Sequence, residues 1–372
     1  MPGRLRIVID ATAASTRPTG AGRFALGLAS TLPGIDPRHS YVALVTADGA
    51  EAFGASPPVE LVTVSPALGS SWEATGASAA ARAAGAALLV TTREVLRSAD
   101  PPVHVHVFEP PAYRLRMWRS RLSTPRPFVK DAFLAAAFRA SARRAAALTA
   151  GSQATAGWIR ERLGVEAPVI LPPLDDAFFA AESAAPQAGP ERCFLHLATG
   201  DARECTGLVL RALALLPADA PTLVIAGARG ERSAAIEREA HRLGIASRVR
   251  VLGWVTDEEL RRSYRTTLGL LHLTRYEGYA GYPALEAMAL GAPVVGLRAP
   301  GATEALEGAA LLVEQEDPAA VAAAMRRLAD DDGTLRAALV AAGRARVAPL
   351  RWPAAARAFA DSFEATLQRL SG

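Results

Sequence analysis

A chain of 372 residues, 50% apolar and 21% charged, is too long for one ordinary core and too apolar to stay unfolded, so two folded domains are expected. The longest apolar runs, such as 83–91, are interrupted well before the roughly 18–20 residues of a membrane span, and two cysteines, Cys193 and Cys205, support neither a disulfide framework nor a zinc site. The net charge of +4 is carried almost wholly by arginine, with Lys130 the only lysine, so roles that often fall to a lysine ammonium must be met here by planar guanidinium forks.

In chain order, Met1-Pro2-Gly3-Arg4 leads directly into a strand at 5–9 without the apolar stretch and cleavage site of a signal peptide, which reads as a cytoplasmic chain. Further short β-branched runs at 41–46, 59–64, 86–91, 103–108 and 146–150 alternate with Ala-rich helical stretches. Residues 173–190, with Pro173, Pro186 and Pro190 among small and acidic residues, have the composition of a linker. Beyond it the alternation resumes, with strands at 193–198, 222–226, 249–252, 268–273, 293–297 and 309–313. The last stretch places Phe359, Phe363 and Leu367 four residues apart, one face of a helix that needs a surface to cover. The pattern is α/β: parallel, doubly wound sheets in an N-terminal domain (1–172) and a C-terminal domain (191–350), closed by a helix (351–372) expected to pack back on the first domain.

The segment 271–296 reads as a strand, a Gly-rich loop with Gly278 and Gly281, and a helix opened by Pro283, where a missing N–H costs nothing. Exposed loop amides and a helix start together suit an anion. Glu286 near that helix start fits either a helix-end charge or a binding residue. Asp330-Asp331-Asp332 reads as a cap or turn, and no convincing Asp-x-Asp metal motif is present.

Glu277-Gly278-Tyr279-Ala280-Gly281-Tyr282-Pro283-Ala284-Leu285-Glu286-Ala287-Met288-Ala289, followed by Gly291, Pro293, Val294 and Val295, resembles the signature of the retaining glycosyltransferases of glycosyltransferase family 4. The resemblance extends to Val249-Arg250-Val251-Leu252-Gly253-Trp254-Val255, to the segment 297–304 with Gly301 and Glu304, and to 309–313, and so covers most of the C-terminal half. It implies a GT-B fold of two Rossmann-like domains facing across a cleft. The activity it implies is transfer of a sugar, with retention, from a nucleotide-diphosphate donor to a hydroxyl acceptor.

It further implies that Glu277 faces the donor sugar, Glu286 holds the ribose, backbone amides of Gly278, Tyr279, Ala280, Gly281 and Tyr282 meet the sugar and diphosphate, and backbone near Val255 meets the base. Arg203 matches the arginine of the family's phosphate clamp, while Glu204 stands where lysine is common. Arg229 is a second candidate for the clamp, with a surface role equally open. Eight residues separate Glu277 from Glu286 where the family has seven, as though Ala280 were inserted.

In the N-terminal half, Gly20-Ala21-Gly22 precedes an apolar helix too far from its strand for a dinucleotide fingerprint. The resemblance gives this loop amides for phosphate or acceptor; a plain helix-entry loop is the alternative. His106, near the end of the 103–108 strand, is either a catalytic residue at the sheet edge or a buried strand histidine. Arg114, Arg116, Arg119, Arg121, Arg126 and Lys130 with Tyr113, Trp118 and Phe128 form a patch suited to an anionic or lipid-linked acceptor, a membrane surface on the inner face, or plain solvation.

No cofactor is expected besides the nucleotide sugar as co-substrate, and no metal, because arginine, loop amides and helix starts supply the positive charge. The acceptor class stays open among glycans, lipid-linked molecules and small molecules, and nucleic acid is not expected. The competing readings are an enzyme of the same fold that phosphorylises or epimerises sugars, and a donor-binding protein without turnover, the latter motivated by Glu204, Ala280 and the absence of a His-Asp pair at 108–109.

Overall fold

The computed structural model describes residues 4–16, 19–65, 75–93, 98–110, 125–179, 191–199, 201–275, 278–279 and 281–372, with the backbone alone for 125–134 and 202. The chain divides into two compact units, Met1–Asp175 with Leu350–Gly372, and Asp176–Pro349.

The first unit runs β1 (Arg6–Asp10), α1 (Gly20–Ile35), β2 (Ser40–Val45), α2 (Ala47–Ala52), β3 (Glu60–Thr63), α3 (Ala77–Ala83), β4 (Leu88–Thr91), β5 (Val103–Val107), α4 (Pro125–Arg144), β6 (Ala147–Ala150) and α5 (Gln153–Leu163). Its sheet has the order β3-β2-β1-β4-β5-β6, with every neighbouring pair parallel. Ile7, Val8 and Ile9 are buried on both faces of β1, as a parallel strand sandwiched by helices requires. Because β4 returns beside β1 and not beside β3, the order reverses between them, and the carboxyl ends of those two strands open onto a crevice where such sheets take ligands.

The second unit repeats the plan with β7 (Cys193–Leu197), α6 (Thr206–Ala214), β8 (Thr222–Ala226), α7 (Glu231–Arg242), β9 (Val249–Gly253), α8 (Asp257–Thr266), β10 (Gly269–His272), α9 (Tyr282–Ala289), β11 (Val294–Leu297), α10 (Ala302–Leu306), β12 (Leu311–Val313), α11 (Pro318–Ala329) and α12 (Thr334–Val347). The order β12-β11-β10-β7-β8-β9 reverses between β7 and β10. This α/β architecture of two parallel six-stranded sheets matches the expected fold class.

Strand ends differ from the sequence reading by one or two residues for local reasons. Pro293 has no N–H for the ladder, so β11 begins at Val294, while the Pro293 carbonyl still accepts from Leu270 N at 2.8 Å. At the other end of β5, Gly151 N bonds the Val107 carbonyl at 2.9 Å, and the chain turns away at Phe108.

The last helix, α13 (Trp352–Ser371), belongs to the first unit. Phe359 and Phe363 are fully buried, and the Phe359 ring lies 5.6 Å from that of Phe24 on α1. Gly27 on α1 makes room for the Trp352 indole, which a Cβ at Gly27 would overlap at 2.0 Å from Cζ2. Trp352 Nε1 donates to Asp175 Oδ1 at 2.7 Å, and Leu174 N donates to the Leu350 carbonyl at 2.8 Å, so the segments leaving and re-entering this unit run side by side. Of the expected linker, 180–190 lies outside the described residues, and Asp176–Phe178 forms a short 3-10 turn.

Candidate functional site

Arg203 follows β7 and the segment that leads to Glu286 follows β10, the two strands between which the order of the second sheet reverses. His196, on β7, sets the frame of this reversal. Its Nδ1 lies 2.8 Å from the Leu271 carbonyl on β10 and its Nε2 lies 3.0 Å from Thr206 Oγ1 at the start of α6. A carbonyl can only accept, so Nδ1 carries the proton and Nε2 accepts from the threonine hydroxyl. Burial holds the imidazole below its usual pKa, which keeps this tie neutral.

After β7 the chain forms a tight loop ending in a 3-10 turn at Ala202–Glu204. Glu204 builds this loop: its carboxylate accepts from Thr199 N at 3.0 Å, Thr199 Oγ1 at 2.7 Å and Asp201 N at 3.1 Å, while Asp201 accepts from Arg203 N at 2.9 Å. This reciprocal capping box spends the carboxylate on loop amides, which answers the charge conflict that its position raised in the sequence. Arg203 Nε is held by Asp201 Oδ2 at 3.1 Å. Cys205 turns the chain into α6 with φ of +53°, a left-handed conformation uncommon outside glycine, and burial pushes its thiol up to about 12. The Arg203 carbonyl accepts from Arg275 N at 3.1 Å, fastening this loop to the one after β10.

On the other side of β7, two glycines let the loops after β8 and β9 close on each other. Gly227 N donates to the Gly253 carbonyl at 2.6 Å, and φ values of +104° and +70° at the two glycines are ones only glycine adopts freely. Arg229 is exposed, its guanidinium 4.7 Å from the centre of the Trp254 ring, itself 45% exposed, and Val255 follows half-buried. The structure thus shows Arg229 stacked on an aromatic face.

Past β10, Gly281 with φ of +75° opens α9, and Pro283 occupies its first turn. Glu286 is 4% exposed, so it is no solvated helix-end charge. The hydroxyl of Tyr264, fully buried on α8, donates to Glu286 Oε2 at 3.1 Å. The sequence reading missed Tyr264, although its four-residue spacing from Leu260 marks the inward face of α8. Gly278 and Tyr279 are buried and Tyr282 is half-buried. Glu277 and Ala280 lie outside the described residues, as does the aromatic and basic segment 111–124. Asp331 and Asp332 accept from Leu335, Arg336 and Thr334 amides at 2.8–3.0 Å and so cap the start of α12.

In the first unit, Gly20, Ala21 and Gly22 form the first turn of α1, capped by Thr19 Oγ1, which accepts from Gly22 N at 3.4 Å. His106 corrects the expectation of a residue at an open sheet edge: it is wholly buried. Alternation along β5 sends His104 and His106 to the face that α13 covers. There the His106 ring stacks on Phe24 at 5.0 Å and meets Phe359 edge-on at 5.0 Å. Both histidines share Thr149 Oγ1, at 3.2 Å from His104 Nε2 and 3.0 Å from His106 Nδ1, and burial lowers each pKa to about 3.

A polar cluster unforeseen in the sequence occupies the reversal of the first sheet. Asp10, at the end of β1, accepts from Thr12 Oγ1 at 2.6 Å and Arg93 Nε at 3.2 Å, and Arg93 Nη2 reaches Thr12 Oγ1 at 2.8 Å. An acidic residue closing an apolar strand is visible in sequence, but its partner across the sheet is not.

Residues 195–331 match the family model described as glycosyl transferases group 1. The chain is 29% identical over 161 residues to the O-antigen chain mannosyltransferase B of Escherichia coli, covering 42% of each protein. It is 36% identical over 137 residues to the D-inositol 3-phosphate glycosyltransferase of Salinispora tropica, covering 35% of this chain and 27% of that one. The alignments thus span less than half the length of these curated relatives. Over the whole chain the fold is similar to sucrose-phosphate synthase from Thermosynechococcus elongatus (TM-score 0.79, 17% identity, 98% and 100% of the two chains). It is likewise similar to Anabaena HepE in complex with UDP and glucose (TM-score 0.71, 17% identity, 98% and 100%) and to WaaG, a glycosyltransferase involved in lipopolysaccharide biosynthesis (TM-score 0.73, 15% identity, 96% and 99%). These likenesses show the GT-B fold.

Proposed function

We propose that the chain is a retaining, metal-independent glycosyltransferase that moves a hexose from a nucleotide-diphosphate sugar to a hydroxyl acceptor. The observation that carries the reading is Glu286: a carboxylate buried beside the reversal of the second sheet, inside the segment matching the group 1 family, with Tyr264 donating to one oxygen. In the proposed site, Glu286 accepts hydrogen bonds from the ribose hydroxyls, Val255 backbone meets the base, and Glu277 faces the sugar. Arg203, with amides between Gly278 and Tyr282, meets the diphosphate. In the first unit, the first turn of α1 is proposed to offer the amides of Gly20 and Ala21 to phosphate or acceptor, Gly22 N being turned to the Thr19 hydroxyl.

In the reaction, the bond between the anomeric carbon and the β-phosphate oxygen breaks, and the acceptor oxygen bonds to that carbon on the same face. The acceptor proton passes to the leaving diphosphate. Charge grows on the diphosphate as the bond lengthens, so fixed N–H donors and a guanidinium there lower the barrier more than they stabilise the ground state. Phosphate neutralisation by Arg203 and backbone dipoles stands where a divalent cation would otherwise serve. One relative is named for transfer of a mannosyl group, which supports a hexose, and the other for an inositol phosphate, a polyol, which supports a hydroxyl-bearing acceptor; glycan, lipid-linked and small polyol classes stay within the proposal.

The test is release of nucleoside diphosphate from UDP-glucose, UDP-N-acetylglucosamine and GDP-mannose over a panel of glycans and polyol phosphates, with proton NMR of the product anomer. Acceptor-dependent release with the donor's configuration kept is expected, and a loss of ~100-fold or more in Glu286→Ala, as for removal of a group that positions the donor. A product of inverted configuration would contradict retention. Donor binding without release over every acceptor would favour a donor-binding protein without turnover.

A further inference from the structure

For the proposed donor site, the loop after β7 with Arg203 has to be in register with the one after β10 that leads to Glu277, and a third segment, after β12, is tied to them. Arg275 makes these ties, one through its backbone and one through its side chain. Arg275 Nε and Nη2 donate to Glu316 Oε1 and Oε2 at 2.6 and 2.7 Å, two parallel bonds between a planar fork and a carboxylate. The Arg275 side chain is 13% exposed and that of Glu316 39%, so the pair is drier than an ordinary surface salt bridge. The same residue's amide donates to the Arg203 carbonyl at 3.1 Å. The charges of Arg275 and Glu316 are both felt at the Cys205 thiol, the residue at which the first loop turns into α6. Arg275 thus meets the Arg203 loop through its backbone and the segment after β12 through its side chain, at the end of β10 where the sheet order reverses.

We propose that the Arg275–Glu316 ion pair is a positioning device for the donor site, setting the Arg203 loop and the loop after β10 in register for a nucleoside diphosphate. The inference rests on the donor-site reading and deepens it. A single contact through Arg275 N fixes only one point of the Arg203 loop; the fork fixes the direction in which the peptide presents it. Other arginine–carboxylate pairs also tie separate segments, Arg93 with Asp10 in the first unit and Arg298 with Glu314 in the second, whereas Arg242 with Glu239 lies along α7 alone. What sets Arg275 apart is that the residue whose fork holds Glu316, 41 residues away, also bonds the Arg203 carbonyl through its own amide.

Isothermal titration with UDP, GDP, ADP and dTDP tests the inference on the full chain and on four variants: Glu316→Gln, Arg275→Lys, the exchanged pair Arg275→Glu with Glu316→Arg, and Glu239→Gln as a distant control. The expected result is a ~10- to 100-fold weaker dissociation constant in the first two, of the size that a small misplacement of binding groups costs, with the thermal midpoint within a few degrees of wild type. In turnover with a nucleotide sugar, the loss should fall on the donor KM more than on kcat. The exchanged pair should recover most of the affinity, and Glu239→Gln should keep it, outcomes that a loss of folding would not give. Unchanged affinity in Glu316→Gln and Arg275→Lys would overturn the inference while leaving the donor-site reading standing. A wild-type chain that binds none of the four nucleotides would overturn that reading, and the inference with it.

Discussion

Glu204 and His106 show how a side chain's surroundings decide its chemistry. Glu204, where a lysine is common in the resembling family, binds three donors of its own loop and so shapes the turn that presents Arg203. His106 and its neighbour His104 share one threonine hydroxyl under a cover of phenylalanines. Their burial carries a measurable consequence. Burial lowers each pKa to about 3 from the usual 6.5, so each is neutral when folded and takes up a proton on unfolding below pH 6.5. Their contribution to stability is therefore complete above pH 6.5 and is lost as pH falls from 6.5 toward 3, by up to ~1.4 kcal/mol per pH unit for each. Urea midpoints of wild type at pH 7, 6 and 5 should fall with pH. The variant His106→Leu should have a shallower slope, and an unchanged slope would mean that His106 is not the group responsible.

At the scale of elements, the join between α1 and α13 rests on one small residue. Gly27 leaves space for the Trp352 indole, whose N–H is held by Asp175. Gly27→Ala puts a methyl 2.0 Å from a ring carbon, and the helices must part or the indole must leave its bond. A loss of ~1–3 kcal/mol or more is expected, as for overpacking of a tight core. Differential scanning calorimetry of Gly27→Ala, alone and with Trp352→Leu, checks this: the second change should recover part of the loss, and equal losses would argue against a clash. The sequence showed these elements better than their partners. Short apolar runs located every strand among the described residues, and the spacing of Phe359, Phe363 and Leu367 announced a helix with a surface to cover. That the surface was Phe24, His104 and His106 could not be read, because the residues meet only once a parallel sheet has brought β5 beside α1. The same holds for Arg275 with Glu316 and for Asp10 with Arg93: each partner is an ordinary charged residue in sequence, and only the strand order makes the pair.

On the scale of the whole molecule, two copies of one architectural plan carry different chemistry at their reversals. The first sheet presents Asp10, Thr12 and Arg93 locked to one another, and the second presents glycine-turned loops, Arg203 and the buried Glu286. Positive φ at Gly227 and Gly253 lets the loops after β8 and β9 meet backbone to backbone, which fits the proposed recognition of a nucleotide by amides as much as by side chains. The proposed function requires this second reversal to bind a nucleotide-diphosphate sugar. A thermal-shift panel of UDP-, GDP-, ADP- and dTDP-sugars on wild type, Glu286→Ala and Arg203→Ala tests it most directly. One nucleotide should stabilise the wild type, by ~2.7 kcal/mol at a hundredfold excess over its dissociation constant, and both variants should lose that stabilisation. A wild-type midpoint that moves with none of the donors, or one that moves equally in both variants, would contradict the account.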